Sequence, residues 1–157
     1  MQKEFISKGF TLVELLIVLA LMAIMASFAV PAWQHYTENT NLKTATREIM
    51  ADIIQTRQKA ISENVNTYQM TFNTGSNTYS LSRSDTGQTL WTKNLTDFGK
   101  KNILYYGYFI SGGSVLSFQR RGTMNQGWII VRNSFWSYSI IYVQQIGRPY
   151  VQYHMEK

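Results

Sequence analysis

The sequence predicts an α+β protein, in which a long N-terminal helix packs on a C-terminal antiparallel β head. Three observations carry this. Residues 10–30 are 21 residues of apolar chain interrupted only by Thr11, Glu14 and Ser27. From Leu42 to Ala60, apolar residues recur at helical spacing. After residue 65 the period drops to two, and Gly- and Asn-containing turns punctuate it.

The first element is membrane-spanning. As a helix, residues 10–30 extend roughly 31 Å, about one bilayer core. The preceding stretch is short and polar and carries Lys3 and Lys8. The positive-inside rule leaves it in the cytoplasm and sends the rest of the chain outward. A cleaved secretory signal is the plainer alternative, because Ser27-Phe28-Ala29 has a small-x-small pattern. Against it stand the length of the run and Glu14 inside it, since a charged residue at membrane depth costs about 2.5–3.5 kcal/mol on insertion scales.

Beyond Pro31 the helix turns amphipathic. Leu42, Ala45, Ile49, Ile53 and Ala60 form one face with Ile61 on its flank, and Glu38, Lys43, Arg47, Glu48, Gln55 and Lys59 lie between them. Pro31 is expected to kink the helix rather than end it. If continuous, the helix from Phe10 to about Asn64 spans roughly 80 Å. Its apolar face needs a partner, and the remaining chain supplies strands. These are expected at 67–72, 78–83, 89–92, 103–109, 115–118, 128–132, 138–143 and 149–154, with Asn73-Thr74-Gly75-Ser76-Asn77 as a hairpin turn. Their aromatics read as core and sheet-face residues rather than as a cofactor box. The organisation expected is 1–9 leader, 10–33 transmembrane helix, 34–65 amphipathic helix and 66–157 head.

Composition narrows the function. There are no cysteines, which excludes disulfides, thiolate zinc sites and cysteine catalysis. Net charge is +6. Residues 37–99 carry six charges of each sign, whereas from residue 100 onward Lys100, Lys101, Arg120, Arg121, Arg132, Arg148 and Lys157 face Glu156 alone. A basic C-terminal half suits an anionic partner or a solvated face. Enzyme motifs are missing. His35 and His154 are far apart in sequence, Asp85-Thr86-Gly87 reads as a turn, and Gly99-Lys100-Lys101 is too short for a phosphate loop. No enzyme, cofactor or metal site is expected.

The segment Lys8-Gly9-Phe10-Thr11-Leu12-Val13-Glu14-Leu15-Leu16-Ile17-Val18, followed by Pro31, resembles the class III signal of type IV prepilins and type II secretion pseudopilins. The resemblance implies cleavage after Gly9 by prepilin peptidase and N-methylation of Phe10. It also implies an assembly role for Glu14, whose carboxylate pairs with a neighbouring subunit's Phe10 amine, and a helix kink at Pro31. Such pairing offsets the desolvation of both charges.

Three later fragments resemble the family of pseudopilin H and the minor pilin FimT (GspH/FimT). They are Arg57-Gln58-Lys59-Ala60-Ile61, Phe118-Gln119-Arg120-Arg121-Gly122-Thr123 and Ile146-Gly147-Arg148. This resemblance implies a pilin-like head of two packed sheets and a minor pilin or pseudopilin, in a type IV pilus or a type II secretion pseudopilus. The implied partners are prepilin peptidase, other pilins, an inner-membrane assembly platform and membrane lipid. The implied location is the inner membrane, single-pass, with the head periplasmic. A second reading is a DNA-binding minor pilin for natural transformation. It rests on Gly147-Arg148-Pro149-Tyr150, where Tyr150 stands in place of the family motif's second arginine, with Arg120, Arg121, Lys100 and Lys101 as further candidate DNA contacts.

Overall fold

A continuous helix, α1, runs Leu12–Ser62 and passes through Pro31. The computed structural model describes residues 10–156, so the expected leader, with Lys3, Lys8 and Gly9, lies outside the described residues. Contacts divide the chain into two units, with the boundary between His35 and Tyr36.

In the first unit the helix is apolar on every side, and Leu12, Leu15, Leu16, Ile17, Leu19 and Met22 are all exposed. By length and composition it can cross a membrane. In the second unit α1 buries Leu42, Ala45, Ile49, Ile53 and Ala60, the face expected from periodicity, while Ile61 stays exposed on the flank. Thr46, Asp52 and Thr56 are also buried on that face.

Eight strands follow, each within two residues of its expected position: β1 Tyr68–Asn73, β2 Thr78–Arg83, β3 Thr89–Asn94, β4 Ile103–Phe109, β5 Val115–Ser117, β6 Gly127–Arg132, β7 Tyr138–Val143 and β8 Tyr150–His154. A 3-10 turn at Leu95–Phe98 was not foreseen; Asn94 caps it by accepting from the Thr96 amide. The strands form two antiparallel sheets of four, in the orders β3-β2-β1-β5 and β4-β6-β7-β8. The chain leaves the second sheet after β4, adds β5 to the first, and returns for β6. The fold is therefore α+β and pilin-like, with a helix packed on two sheets.

Alternation decides which face each strand buries. Tyr68, Met70 and Phe72 of β1, Tyr79 and Leu81 of β2, Ile129 and Val131 of β6, and Ile141 and Val143 of β7 join Leu42, Ile49 and Ile53 of the helix in one core. Each such side chain stabilises the fold by about 1.5–3 kcal/mol on full burial.

Polar anchors fix the helix on each sheet. On the first sheet, the Tyr79 hydroxyl donates to Asp52 Oδ2 at 2.7 Å, and Lys93 Nζ lies 2.8 Å from both Asp52 Oδ2 and Glu48 Oε1. Burial, reinforced by Asp52, pushes the Tyr79 hydroxyl well above the usual tyrosine range. Burial opposes the charge on Lys93, but Asp52 and Glu48 outweigh it and hold the ammonium above the usual lysine value. On the second sheet, Thr46 donates to the Leu42 carbonyl at 2.7 Å, which leaves Ser139 to donate to Thr46 at 2.6 Å.

Candidate functional site

The N-terminal candidates stand at the start of α1. Phe10 is the first described residue and is exposed. Thr11 precedes the first helical residue and acts as its N-cap. The Glu14 amide donates to Thr11 Oγ1 at 3.2 Å, and the Thr11 amide reaches back to Glu14 Oε2 at 3.5 Å. This is a capping box, Thr-x-x-Glu, and it satisfies amides that a helix start otherwise leaves open. The spacing Thr11-Leu12-Val13-Glu14 is the sequence signal for this cap. Glu14 therefore has a local function beside any intermolecular one.

Within the second unit, three fragments far apart in sequence meet at one place. Arg57, in the last turns of α1, donates through Nε to the Gly122 carbonyl at 2.6 Å and through Nη1 to the Gly147 carbonyl. A guanidinium suits this task, because its donors are fixed in a fork and can serve two loops at once. The β5–β6 turn is shaped to receive it. The Gln119 amide donates to the Thr123 carbonyl at 2.9 Å, the Gly122 amide to the Gln119 carbonyl at 2.8 Å, and Thr123 Oγ1 bonds Gln119 Oε1 at 2.8 Å. Backbone conformation favours glycine at 122, and a Cβ there would also have to displace the end of the Ile61 side chain. Its φ is +77°, and a Cβ there would lie 2.8 Å from Ile61 Cδ1. Gly147 is also left-handed, with φ +115°.

This junction places some of the basic candidates together and separates others. Arg120 and Arg121 lie in the β5–β6 turn, where the Arg120 amide donates to Asn66 Oδ1. Arg148 lines a groove of about 410 Å³ with Ile54, Arg57, Gln58 and Ile61. All three arginines are exposed, and among the described residues none pairs with a carboxylate. Lys100 and Lys101 are elsewhere. The adjacent Gly99 packs against Asn41, and Lys101 Nζ lies 3.8 Å from Glu38 Oε1 and 5.2 Å from the Phe135 ring centroid. Asn41 and Arg57 are 16 residues apart on one helix, or about 24 Å. The five basic residues grouped from the sequence are thus two clusters.

Comparison with known proteins bears on the N-terminal segment. Residues 6–30 match the family model described as the prokaryotic N-terminal methylation motif. A fimbrial protein of Pseudomonas aeruginosa is 48% identical over 44 residues, covering 28% of this chain and 29% of that protein. The type IV major pilin protein PilE1 of Neisseria gonorrhoeae is 48% identical over 40 residues, covering 26% of this chain and 24% of its own length. The N-terminal segment is type IV pilin-like. The alignments span less than a third of those relatives. No solved structure matches the chain. With an apolar first helix and this homology, the chain fits a membrane-anchored pilus subunit.

Proposed function

We propose that the protein is a minor pilin or pseudopilin, a structural subunit of a type IV pilus or type II secretion pseudopilus. The observation that carries the finer reading is the Arg57 junction. Three fragments chosen on resemblance alone meet through two hydrogen bonds from one side chain. Unrelated matches scattered over the chain have no reason to converge.

In this reading prepilin peptidase cuts between Gly9 and Phe10 and N-methylates Phe10. The new ammonium pairs with Glu14 of an adjacent subunit, and Pro31 kinks the helix. The subunit inserts in the inner membrane with its head periplasmic and is extracted by the assembly platform. The test is intact mass of cell-derived protein. A chain starting at methylated Phe10 is expected, and a mature N-terminus near Val30 would sink the reading. Glu14→Ala should insert as well as the parent, since a charge is removed from the membrane, but be depleted from purified filaments. Wild-type recovery of the variant in filaments would end the pairing role.

A second reading, a DNA-binding minor pilin, is favoured by Arg120, Arg121 and Arg148 standing around one end of α1 without a carboxylate partner among the described residues. Binding there would be electrostatic. Each lost phosphate contact should lower the log–log salt slope by about 0.9 on duplex DNA. Arg148→Ala should therefore weaken a low-salt gel shift and flatten its salt dependence. A Lys100/Lys101 double substitution should change little, because those residues lie at the other cluster. An unshifted band at micromolar protein removes this reading.

A further inference from the structure

The outward face of the second sheet is built for contact. Register places twelve side chains on it in three rows across the strands β4, β6, β7 and β8. One row runs Ile103, Arg132, Tyr138, His154; the next Tyr106, Ile130, Ile140, Gln152; the last Tyr108, Trp128, Tyr142, Tyr150. The bulged Tyr105 and the turn residue Trp136 extend it, at 54% and 68% exposure. Seven apolar residues on this surface are 36–68% exposed, and at 150–250 Å² per aromatic side chain they present roughly 500–800 Å². The upper end reaches the per-partner area of a standard protein interface, and the range lies at or above the top of what a monomer normally leaves apolar in one patch.

Arg132 gives the face its specificity. Its guanidinium carbon lies 4.5 Å from the ring centroids of both Tyr105 and Trp136. The rings hold the fork in place, and among the described residues no acceptor takes its N–H edges. They open on a groove of about 460 Å³ lined also by Ile130, Tyr138, Ile140 and Glu156. A guanidinium held this way suits a carboxylate bound by two parallel N–H donors.

We infer that this face docks the head of a neighbouring filament subunit of different sequence, one that presents an apolar surface with a carboxylate opposite Arg132. The inference rests on the filament reading above. Tyr, Trp and Arg with few lysines is the composition of an interface centre. A nucleic-acid strand is disfavoured, because only Arg132 among the twelve positions is a fixed cation and Glu156 lines the same groove, whereas strand binders track the backbone with several cations. A second copy is disfavoured because its own face presents Arg132, and the one carboxylate beside it, Glu156, already lines that groove. A neighbour that brings a carboxylate of its own is complementary to Arg132.

The experiment places a photo-crosslinking phenylalanine analogue at Tyr142 in the full-length protein in cells, with the same probe at Ser80 on the other sheet as control. The expected result is an adduct from Tyr142 alone, identified by peptide mass as a chain that carries its own N-terminal methylation motif, with an Asp or Glu in the crosslinked peptide. Arg132→Glu should lower its yield at least tenfold, and Arg132→Lys less. Reversing the partner's carboxylate to arginine should restore the yield with Arg132→Glu. An adduct to a second copy, to nucleic acid or to a chain without the motif would overturn the inference, as would no adduct or equal yield from Ser80. Intact mass from the same cells separates the two readings. A chain processed at Phe10 but without the adduct defeats only the docking face, and an unprocessed chain defeats the filament reading itself.

Discussion

The two sheets are alike inside and unlike outside. Both have four antiparallel strands, and both bury an alternating apolar face against the same helix. Yet the outward positions of the first sheet are Gln69, Thr71, Asn73, Thr78, Ser80, Ser82, Thr89, Thr92, Asn94, Val115 and Ser117, with Leu90 exposed at the β3 bulge. The second sheet has rings or isoleucines at ten of its twelve outward positions, the other two being Arg132 and Gln152. A solvent-facing sheet surface in this protein can therefore be made from small polar residues. The aromatic surface is not a requirement of the fold, and a difference between two faces under the same structural constraints points to contact.

The inner anchors differ as well, and that difference should give the largest effect. The first sheet is tied to α1 by an ionic group and the second by a pair of neutral hydroxyls. Asp52 is 5% exposed and serves both Tyr79 and Lys93. Asp52→Ala leaves a partly buried ammonium and a buried hydroxyl short of their acceptor, and should cost about 3 kcal/mol. Ser139→Ala removes one neutral hydrogen bond and leaves Thr46 donating to Leu42, so about 1 kcal/mol is expected. Urea unfolding of residues 34–157 measures both. Equal losses would show that the two attachments are equivalent after all.

The same asymmetry predicts where alkali acts. Lys93 is raised above 10.5 and Tyr79 above 10.0 in the folded protein. A group whose pKa is raised by folding stabilises fully below its unfolded value, and that contribution is lost as pH rises through its folded value. Stability should be level from pH 7 to 10 and fall above that range. Tyr68 is raised in the same direction by burial, so Tyr79→Phe removes one of three titrating groups and its decline above pH 10 should be shallower. A parallel decline in parent and variant would assign the alkaline transition to other groups.

What the sequence made legible follows from which forces are local. Alternation and turn residues are local, so all eight strands were found. The buried helix face was recognised from Leu42, Ala45, Ile49, Ile53 and Ala60. Asp52 and Thr46 were not, because what makes a buried polar residue tolerable is a partner distant in sequence, Lys93 for one and Ser139 for the other. The basic residues past residue 100 were joined into one patch because a charge count carries no positions. The helix, by holding Asn41 and Arg57 about 24 Å apart, divides them. The outward aromatics were recognised as sheet residues, but which face they took depends on strand register and order.

The smallest stability effects should come from the outer faces, and there the comparison is sharpest. Tyr142 stacks on Tyr150 with centroids 4.9 Å apart, and Thr71 stands across from Ser80. Cross-strand pairs of this kind contribute roughly 0.2–1 kcal/mol. Tyr142→Thr and Thr71→Val should therefore each shift the urea midpoint of residues 34–157 only slightly. In filaments they should part company. Tyr142→Thr removes a ring from the proposed interface and should be under-represented in purified filaments, while Thr71→Val should be recovered at the parental level. If both variants assemble like the parent, the aromatic surface has no role in assembly, and its contrast with the first sheet would need another cause.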